Sequence, residues 1–202
     1  MTEEKPHFKL KYINWLLVVL IILINGYVLV APLLPQLDLK KRQHKVQAVA
    51  GLPYKSKTDQ SKNNNRQDIP SDNRLVIPKI ALDQHIYQGS AAWLLNKGVW
   101  ARPNTSTPPE GGNTVLTGHR FTYGGPATFY SLDKLAAGDR VVIYWQGKEY
   151  DYKVAKTKIV SPSATEIEES TDNTQLTIFT CTPLWTAKNR LVVIAYPDKE
   201  LN

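Results

Sequence analysis

The chain has 202 residues, 42% of them apolar, and a formal charge of +7. That apolar share suffices for a packed core and excludes wholesale disorder. Residues 1–73 carry 11 Lys/Arg against 6 Asp/Glu and residues 74–202 carry 14 against 12, so the folded part lacks the basic footprint of a nucleic-acid reader and the excess surrounds an apolar segment, where anionic lipid headgroups are the nearer partner.

After residues 1–11 comes that segment, residues 12–34, "YINWLLVVLIILINGYVLVAPLL", 23 residues without a charge. Roughly 20 are needed to cross a bilayer as a helix, so a transmembrane helix is predicted here. A cleaved signal peptide would have a shorter apolar core and a small-x-small site; here Ala31 is followed directly by Pro32, and the expectation is an uncleaved anchor. Tyr12, Trp15 and Tyr27 are aromatics of the interfacial kind. Lys5, Lys9 and Lys11 before the segment are matched by Lys40, Lys41, Arg42 and Lys45 after it, so the positive-inside rule does not by itself fix the orientation.

Residues 35–73 are rich in Lys, Asn, Gln, Ser and Asp and read as a flexible tether, because they cannot bury enough surface to offset their ordering entropy. Within them "LDLKKRQHKVQAVAGL" predicts a short helix leaving the membrane. From Arg74 to the end, short β runs alternate with turn residues. "RLVIPKIAL" opens this domain, with Pro78 restricting it to an edge or bulge. "NTVLTGH" follows the loop "TSTPPEGG". "DRVVIYWQGKEYDYKVAKTKIV" predicts a hairpin turning at Gln146 and Gly147. "QLTIFTC" and "NRLVVIAYP" are the last strands, and "ATFYSLDKLAAG" and "SATEIEES" are the short helical pieces. About eight short strands predict a mainly β fold, a closed or nearly closed β-barrel in preference to an α/β sheet.

The chain has one cysteine, Cys181, so no intrachain disulfide explains it. A buried thiol acting as a small hydrophobe is the plain alternative. Against it, Cys181 ends a strand and stands between Thr180 and Thr182. A nucleophilic thiol needs a proton partner, and His119, also at a strand end in "NTVLTGHR", is the best candidate. His7 precedes the apolar span, His44 lies in the tether, and His85 sits on a short strand. Spacing alone leaves the Cys181–His119 pairing open. A cation is wanted for the oxyanion that attack on an amide creates; Arg190 is favoured, with Arg102 and Arg120 as competitors. No CxxC or HExxH spacing supports zinc. Glu166, Glu168, Glu169 and Asp172 form an acidic loop, read as solvated and not as a calcium site.

These residues resemble the sortase family, membrane-anchored cysteine transpeptidases. The resemblance covers residues 74–197. "RLVIPKIALDQHIYQG" is similar to the opening strands of that fold, "PEGGNTVLTGHR" to its histidine segment, "ATFYSLDKLAAGDRVVIYW" to its short helix and next strand, and "LTIFTCTPLWTAKNRLVVIAYP" to its Thr-Cys and Arg strands. His, Cys and Arg occur in the family's chain order; papain-like and NlpC-type peptidases place cysteine before histidine, and no "SHGC"-like element of cysteine L,D-transpeptidases is present.

The resemblance implies a sortase-like closed eight-stranded barrel with short helices over residues 74–202, preceded by one transmembrane helix. It implies Cys181 as nucleophile, His119 as general acid/base and Arg190 as oxyanion or substrate-positioning group. The amino terminus would be cytoplasmic and the catalytic domain extracellular. The implied reaction cleaves an LPxTG- or LAxTG-like sorting motif between Thr and Gly. The acyl group then passes to an amine, from a peptidoglycan precursor or a pilin lysine, without a cofactor and without an expected need for calcium. "TCTP" and "GDRVVIYW" are closest to the class E or D housekeeping types. No Asp-Pro-aromatic lid motif occurs in residues 43–74, which favours surface-protein anchoring over pilin polymerisation. A rival of another kind is a membrane-tethered barrel that binds a cell-wall ligand without catalysis.

Overall fold

A computed structural model of the chain describes residues 7–30 and 69–198, which belong to two separate compact units. In the first, α1 (His7–Val30) is a 24-residue helix without an acid in its first turn or a base in its last. Tyr12, Trp15, Leu16, Ile22, Leu23 and Tyr27 are all more than half exposed on it. Among the described residues no helix is long and apolar enough to cross a membrane; the uncharged run 12–34 continues past them. The helix expected over residues 37–52 also lies outside the described residues.

The second unit is β-rich. Its strands are β1 (Arg74–Ile77), β2 (Leu82–Tyr87), β3 (Val99–Ala101), β4 (Asn113–Thr117), β5 (Phe121–Thr122), β6 (Gly125–Pro126), β7 (Arg140–Trp145), β8 (Lys148–Val160), β9 (Gln175–Thr182) and β10 (Asn189–Pro197). Eight close into a barrel in the order β1-β2-β3-β4-β9-β10-β8-β7, and β5 and β6 form a separate hairpin. The pairs β2–β3 and β4–β9 are parallel. The closed eight-stranded barrel expected from the sequence is therefore present.

Pro78 does more than the edge or bulge expected of it. It cannot donate to a ladder, and the chain leaves β1 there in a 3-10 turn, Pro78–Ile80. Ala81 at φ +51° then reverses it so that Ile77 pairs with Leu82. The expected hairpin is present between β7 and β8, with Trp145 paired to Lys148. Its two turn residues, Gln146 and Gly147, have φ of +51° and +72°, the positive pair that matches strand twist in a two-residue turn.

Side-chain alternation builds the interior. Val141, Ile143 and Trp145 of β7 face the main core with Leu75, Ile77, Leu116, Leu176, Ile178 and Val193. Val142 and Tyr144 pack outward with Val76 and Ile69, so β7 is buried on both faces and reads as an unbroken apolar run.

The two predicted helices are each a single 3-10 turn. In "ATFYSLDKLAAG" the turn is Leu132–Lys134, and Phe129, Leu132 and Leu135 all enter the main core. Their spacing of three is the 3-10 repeat, not the 3.6 of an α-helix. In "SATEIEES" the turn is Thr165–Glu168. Only Ile167 there is buried, against Val192 and Ile194 on the outside of β10, too little apolar surface to sustain a longer helix.

Candidate active site

Parallel pairing of β4 with β9 decides where their last residues meet. The register runs from Asn113↔Gln175 to Thr117↔Phe179; His119 lies two residues past the end of β4, and Cys181 two residues past the last position of β9 paired with it. Side-chain hydrogen bonds hold this extension. Thr117 Oγ1 donates to the Phe179 carbonyl at 3.1 Å, Thr180 Oγ1 donates to the Gly118 carbonyl at 2.7 Å, and Arg120 Nη1 donates to Thr182 Oγ1 at 2.8 Å. Gly118, Arg120, Thr180 and Thr182 are buried, whereas His119 and Cys181 between them are only half-buried. Because successive residues of a strand face opposite sides, Cys181 faces the more open side of β9, away from Thr180 and Thr182, and His119, in the segment that follows β4, is likewise half-buried. The threonines flanking Cys181 are thus committed to bonds behind it, which explains their place in the sequence.

On the other side of β9, antiparallel β10 places Arg190 directly opposite Cys181. Side chains of such a pair share a face, with Cβ atoms about 4.5–5.5 Å apart. Arg190 Nη1 donates to the carbonyls of Ala187 at 3.2 Å and Asn189 at 3.1 Å, so the β9–β10 loop steadies the guanidinium. Among the described residues it has no carboxylate partner. The competing arginines are engaged elsewhere. Arg102 Nε lies 3.0 Å from each Glu168 carboxylate oxygen and over the Trp100 ring at 4.6 Å. Arg120, 7% exposed, also meets Asp133 at 2.9 Å. Cys181 thus lies on the strand between β10, whose Arg190 guanidinium has no carboxylate partner among the described residues, and β4, which leads two residues on to the imidazole of His119. Chemically the set can supply a thiol nucleophile, a proton carrier and an oxyanion partner.

A sortase domain model matches residues 75–198, from β1 through the last described residue of the barrel. The chain belongs to the sortase family. Sortase D of Bacillus subtilis (strain 168) is 33% identical over 133 residues, which cover 64% of this chain and 65% of that protein's length. Among solved structures, a Clostridium perfringens sortase D5 transpeptidase superposes with a TM-score of 0.57 at 25% identity, covering 80% of this chain and 94% of the other. Sortase C1 of GBS pilus island 1 gives 0.58 at 28% identity, with 81% and 82% covered. Sortases are known as cysteine transpeptidases, and this chain has one cysteine, Cys181.

The other histidine on the barrel stands apart from this set. His85 Nδ1 is 3.2 Å from Asp72 Oδ2, and its ring meets Tyr87 edge-on at 4.6 Å. The remaining two, His7 and His44, lie at the start of α1 and outside the described residues. The acidic loop sits near the other end of β4. Asn113 Nδ2 donates to the carbonyls of Ile167 and Glu169 at 3.1 and 2.8 Å, and Glu168 is committed to Arg102. Among the described residues no three His, Cys, Asp or Glu side chains are grouped to hold a metal ion.

Three features of this end of the barrel leave no signal in the sequence. Asn96 Oδ1 lies 3.0 Å from His119 Nε2. Phe121 packs against Trp185 with ring centroids 4.6 Å apart, joining the β5–β6 hairpin to the β9–β10 loop, and Trp185 remains largely exposed. Gly118 lies against Phe129: a Cβ added there would come within 2.8 Å of the ring. Because that ring is fully buried and cannot swing aside, Gly118→Ala is expected to destabilise the barrel by about 1–3 kcal/mol, the usual range for overpacking. A lower urea midpoint at unchanged m value would register it; an unchanged midpoint would show that Phe129 has room to move.

Proposed function

We propose that this sortase is an active transpeptidase that anchors surface proteins to the cell wall, with Cys181 as nucleophile, His119 as general acid/base and Arg190 as oxyanion and substrate-positioning group. The observation that carries the reading is the register: Cys181 faces Arg190 across β9–β10, and β9 pairs in parallel with β4, which leads two residues on to His119.

In the reaction, the Cys181 sulfur attacks the threonine carbonyl of an LPxTG- or LAxTG-like motif after its proton passes to His119. The resulting oxyanion is met by Arg190, whose planar fork can hold it through two N–H groups. The C–N bond breaks as His119 returns the proton to the glycine amine, leaving a thioester on Cys181. An incoming amine then attacks the thioester carbonyl, passes a proton to His119 and displaces the Cys181 sulfur. No external energy source is required, because a thioester forms as one amide is lost and is consumed as another is made. No cofactor has a part in these steps, and no calcium site is assigned.

An amide-forming enzyme with a membrane-linked acceptor needs to stay near the bilayer. The uncharged run of residues 12–34 and the apolar faces exposed on α1 support an anchor; the family resemblance adds the orientation, with the amino terminus in the cytoplasm, residues 35–73 as tether and residues 74–202 outside. Likeness to sortase D, together with "TCTP", supports a class D- or E-like type. The second reading, pilin polymerisation, is favoured by the likeness to sortase C1 of a pilus island; the absence of an Asp-Pro-aromatic motif in residues 43–74 speaks for anchoring.

Mass spectrometry of the full chain in detergent with LPxTG and LAxTG peptides, and with glycine-based or lysine-based amines, distinguishes these. Transfer to a glycine- or precursor-type amine is expected. Preference for a pilin lysine would favour the second reading, and no peptide turnover at all would overturn both. In the same assay Arg190→Ala is expected to lower kcat/KM by about 10²–10³, the range for one oxyanion donor, with Arg190→Lys recovering only part because it keeps the charge but not the fork. Full activity in Arg190→Ala would remove that residue from the mechanism.

A further inference from the structure

We propose that Asn96 is a positioning residue for His119. Its side-chain carbonyl accepts the Nε2–H of the imidazole, which fixes one neutral tautomer and leaves Nδ1 as the nitrogen that exchanges protons with the Cys181 thiol and the departing amine. This inference rests on the reading of His119 as the general acid/base.

The contact is Asn96 Oδ1 to His119 Nε2 at 3.0 Å, well inside hydrogen-bonding range. Among the described residues it is the ring's one side-chain partner. The two residues are 23 positions apart, so the bond ties separate pieces of the chain together. Neutral imidazole has one N–H and one bare nitrogen, and the partner of one nitrogen decides which is which. With Nε2–H engaged, Nδ1 carries the lone pair. It can take the proton from Cys181 Sγ as the sulfur attacks and hand it to the glycine nitrogen as the C–N bond breaks.

Asn96 is itself exposed, on a turn with one buried anchor. It ends the 3-10 turn Ala92–Asn96, whose Leu94 is buried. The Lys97 N–H donates to the Leu94 carbonyl at 3.0 Å. The Lys97 ammonium sits over the Trp93 ring of the same turn at 4.7 Å and over the Tyr87 ring of β2 at 5.5 Å, so the residue after the asparagine ties the turn to β2.

The choice of an amide has a chemical consequence. His85 in the same barrel has a carboxylate, Asp72, at 3.2 Å. An amide carbonyl orients the ring without adding charge, which suits a group that must both take and give a proton within one turnover.

The test is nitrogen-15 NMR of the full chain, labelled at histidine, in detergent micelles at about pH 8.5, where imidazole is ordinarily neutral. The His119 signals are identified by their loss in His119→Gln. The expected spectrum has Nε2 protonated and Nδ1 bare. In Asn96→Leu the two tautomers should mix, and in Asn96→Asp, which keeps an acceptor oxygen, the Nε2–H form should persist. Peptide turnover should fall roughly 10–100-fold in Asn96→Leu, the range seen when the outer partner of a functional histidine is removed, and Asn96→Asp should recover part of it. A wild-type ring protonated on Nδ1, or an Asn96→Leu spectrum identical to wild type, overturns the proposal. The expected tautomers in a chain that turns over no peptide would support the positioning role while counting against the transpeptidase reading.

Discussion

Cys181→Ala is expected to abolish transfer and hydrolysis alike, lowering the rate at least about a thousandfold to the limit of detection. The magnitude follows from what the thiol does. Removing the nucleophile of an acyl-transfer enzyme leaves only the binding and oxyanion contributions, and in comparable systems costs several orders of magnitude. The chain contains no second cysteine to substitute, and Thr180 and Thr182, the nearest hydroxyls in sequence, are buried with their oxygens bonded to Gly118 and Arg120. The fold should survive, because Cys181 is half-buried and makes no hydrogen bond on which a neighbour depends. An unchanged melting profile alongside lost activity is therefore expected. A wall-binding barrel without catalysis predicts the opposite, namely that Cys181→Ala retains the full biological effect. Peptide turnover by Cys181→Ala near the wild-type rate would remove the thiol mechanism altogether.

His119→Ala carries the second largest effect, a fall in kcat/KM of about 10²–10⁴, the usual contribution of a positioned acid/base. The loss should depend on the leaving group. Glycine amine cannot depart as an anion, so a peptide substrate needs the proton that His119 delivers. A p-nitrophenyl ester of the same sorting peptide departs without one. The variant should therefore retain far more of its wild-type rate on the ester than on the peptide. An equal loss on both would mean that His119 acts in some way other than protonating the amine. With the histidine present, the rate on peptide should fall on both sides of an optimum, because the reaction needs one group that both takes and gives a proton. A flat profile between about pH 5 and 9 would count against a Cys/His mechanism.

Legibility in the sequence follows the range of the interactions. The hairpin at Gln146 and Gly147 is readable because turn chemistry is local, and both residues adopt the φ that the turn requires. His119, Cys181 and Arg190 are readable as residues of the right chemical types at or near strand ends, although only the parallel β4–β9 pairing, a contact across about 60 residues, brings the segments that carry the first two side by side. Strand β3, three residues long, and the two-residue strands β5 and β6 are too short to leave a periodic signal. Phe129, Leu132 and Leu135 look helical because a spacing of three fits an α-helix almost as well as a 3-10 turn. The partnerships of Asn96 with His119 and of Arg120 with Thr182 are hidden for another reason: each joins residues distant in the chain, and neither asparagine nor arginine announces its partner. Arg120 accordingly reads in sequence as a candidate oxyanion cation, whereas it is a buried brace behind the cysteine strand.

The most direct test of the central claim is the intact mass of the full chain after brief mixing with an excess of sorting-motif peptide and no amine acceptor. The account predicts a species heavier by the acyl portion of the peptide up to its threonine, located at Cys181 by fragmentation and released by hydroxylamine. Cleavage of the peptide with no adduct on Cys181, or an adduct that persists in Cys181→Ala, would contradict it.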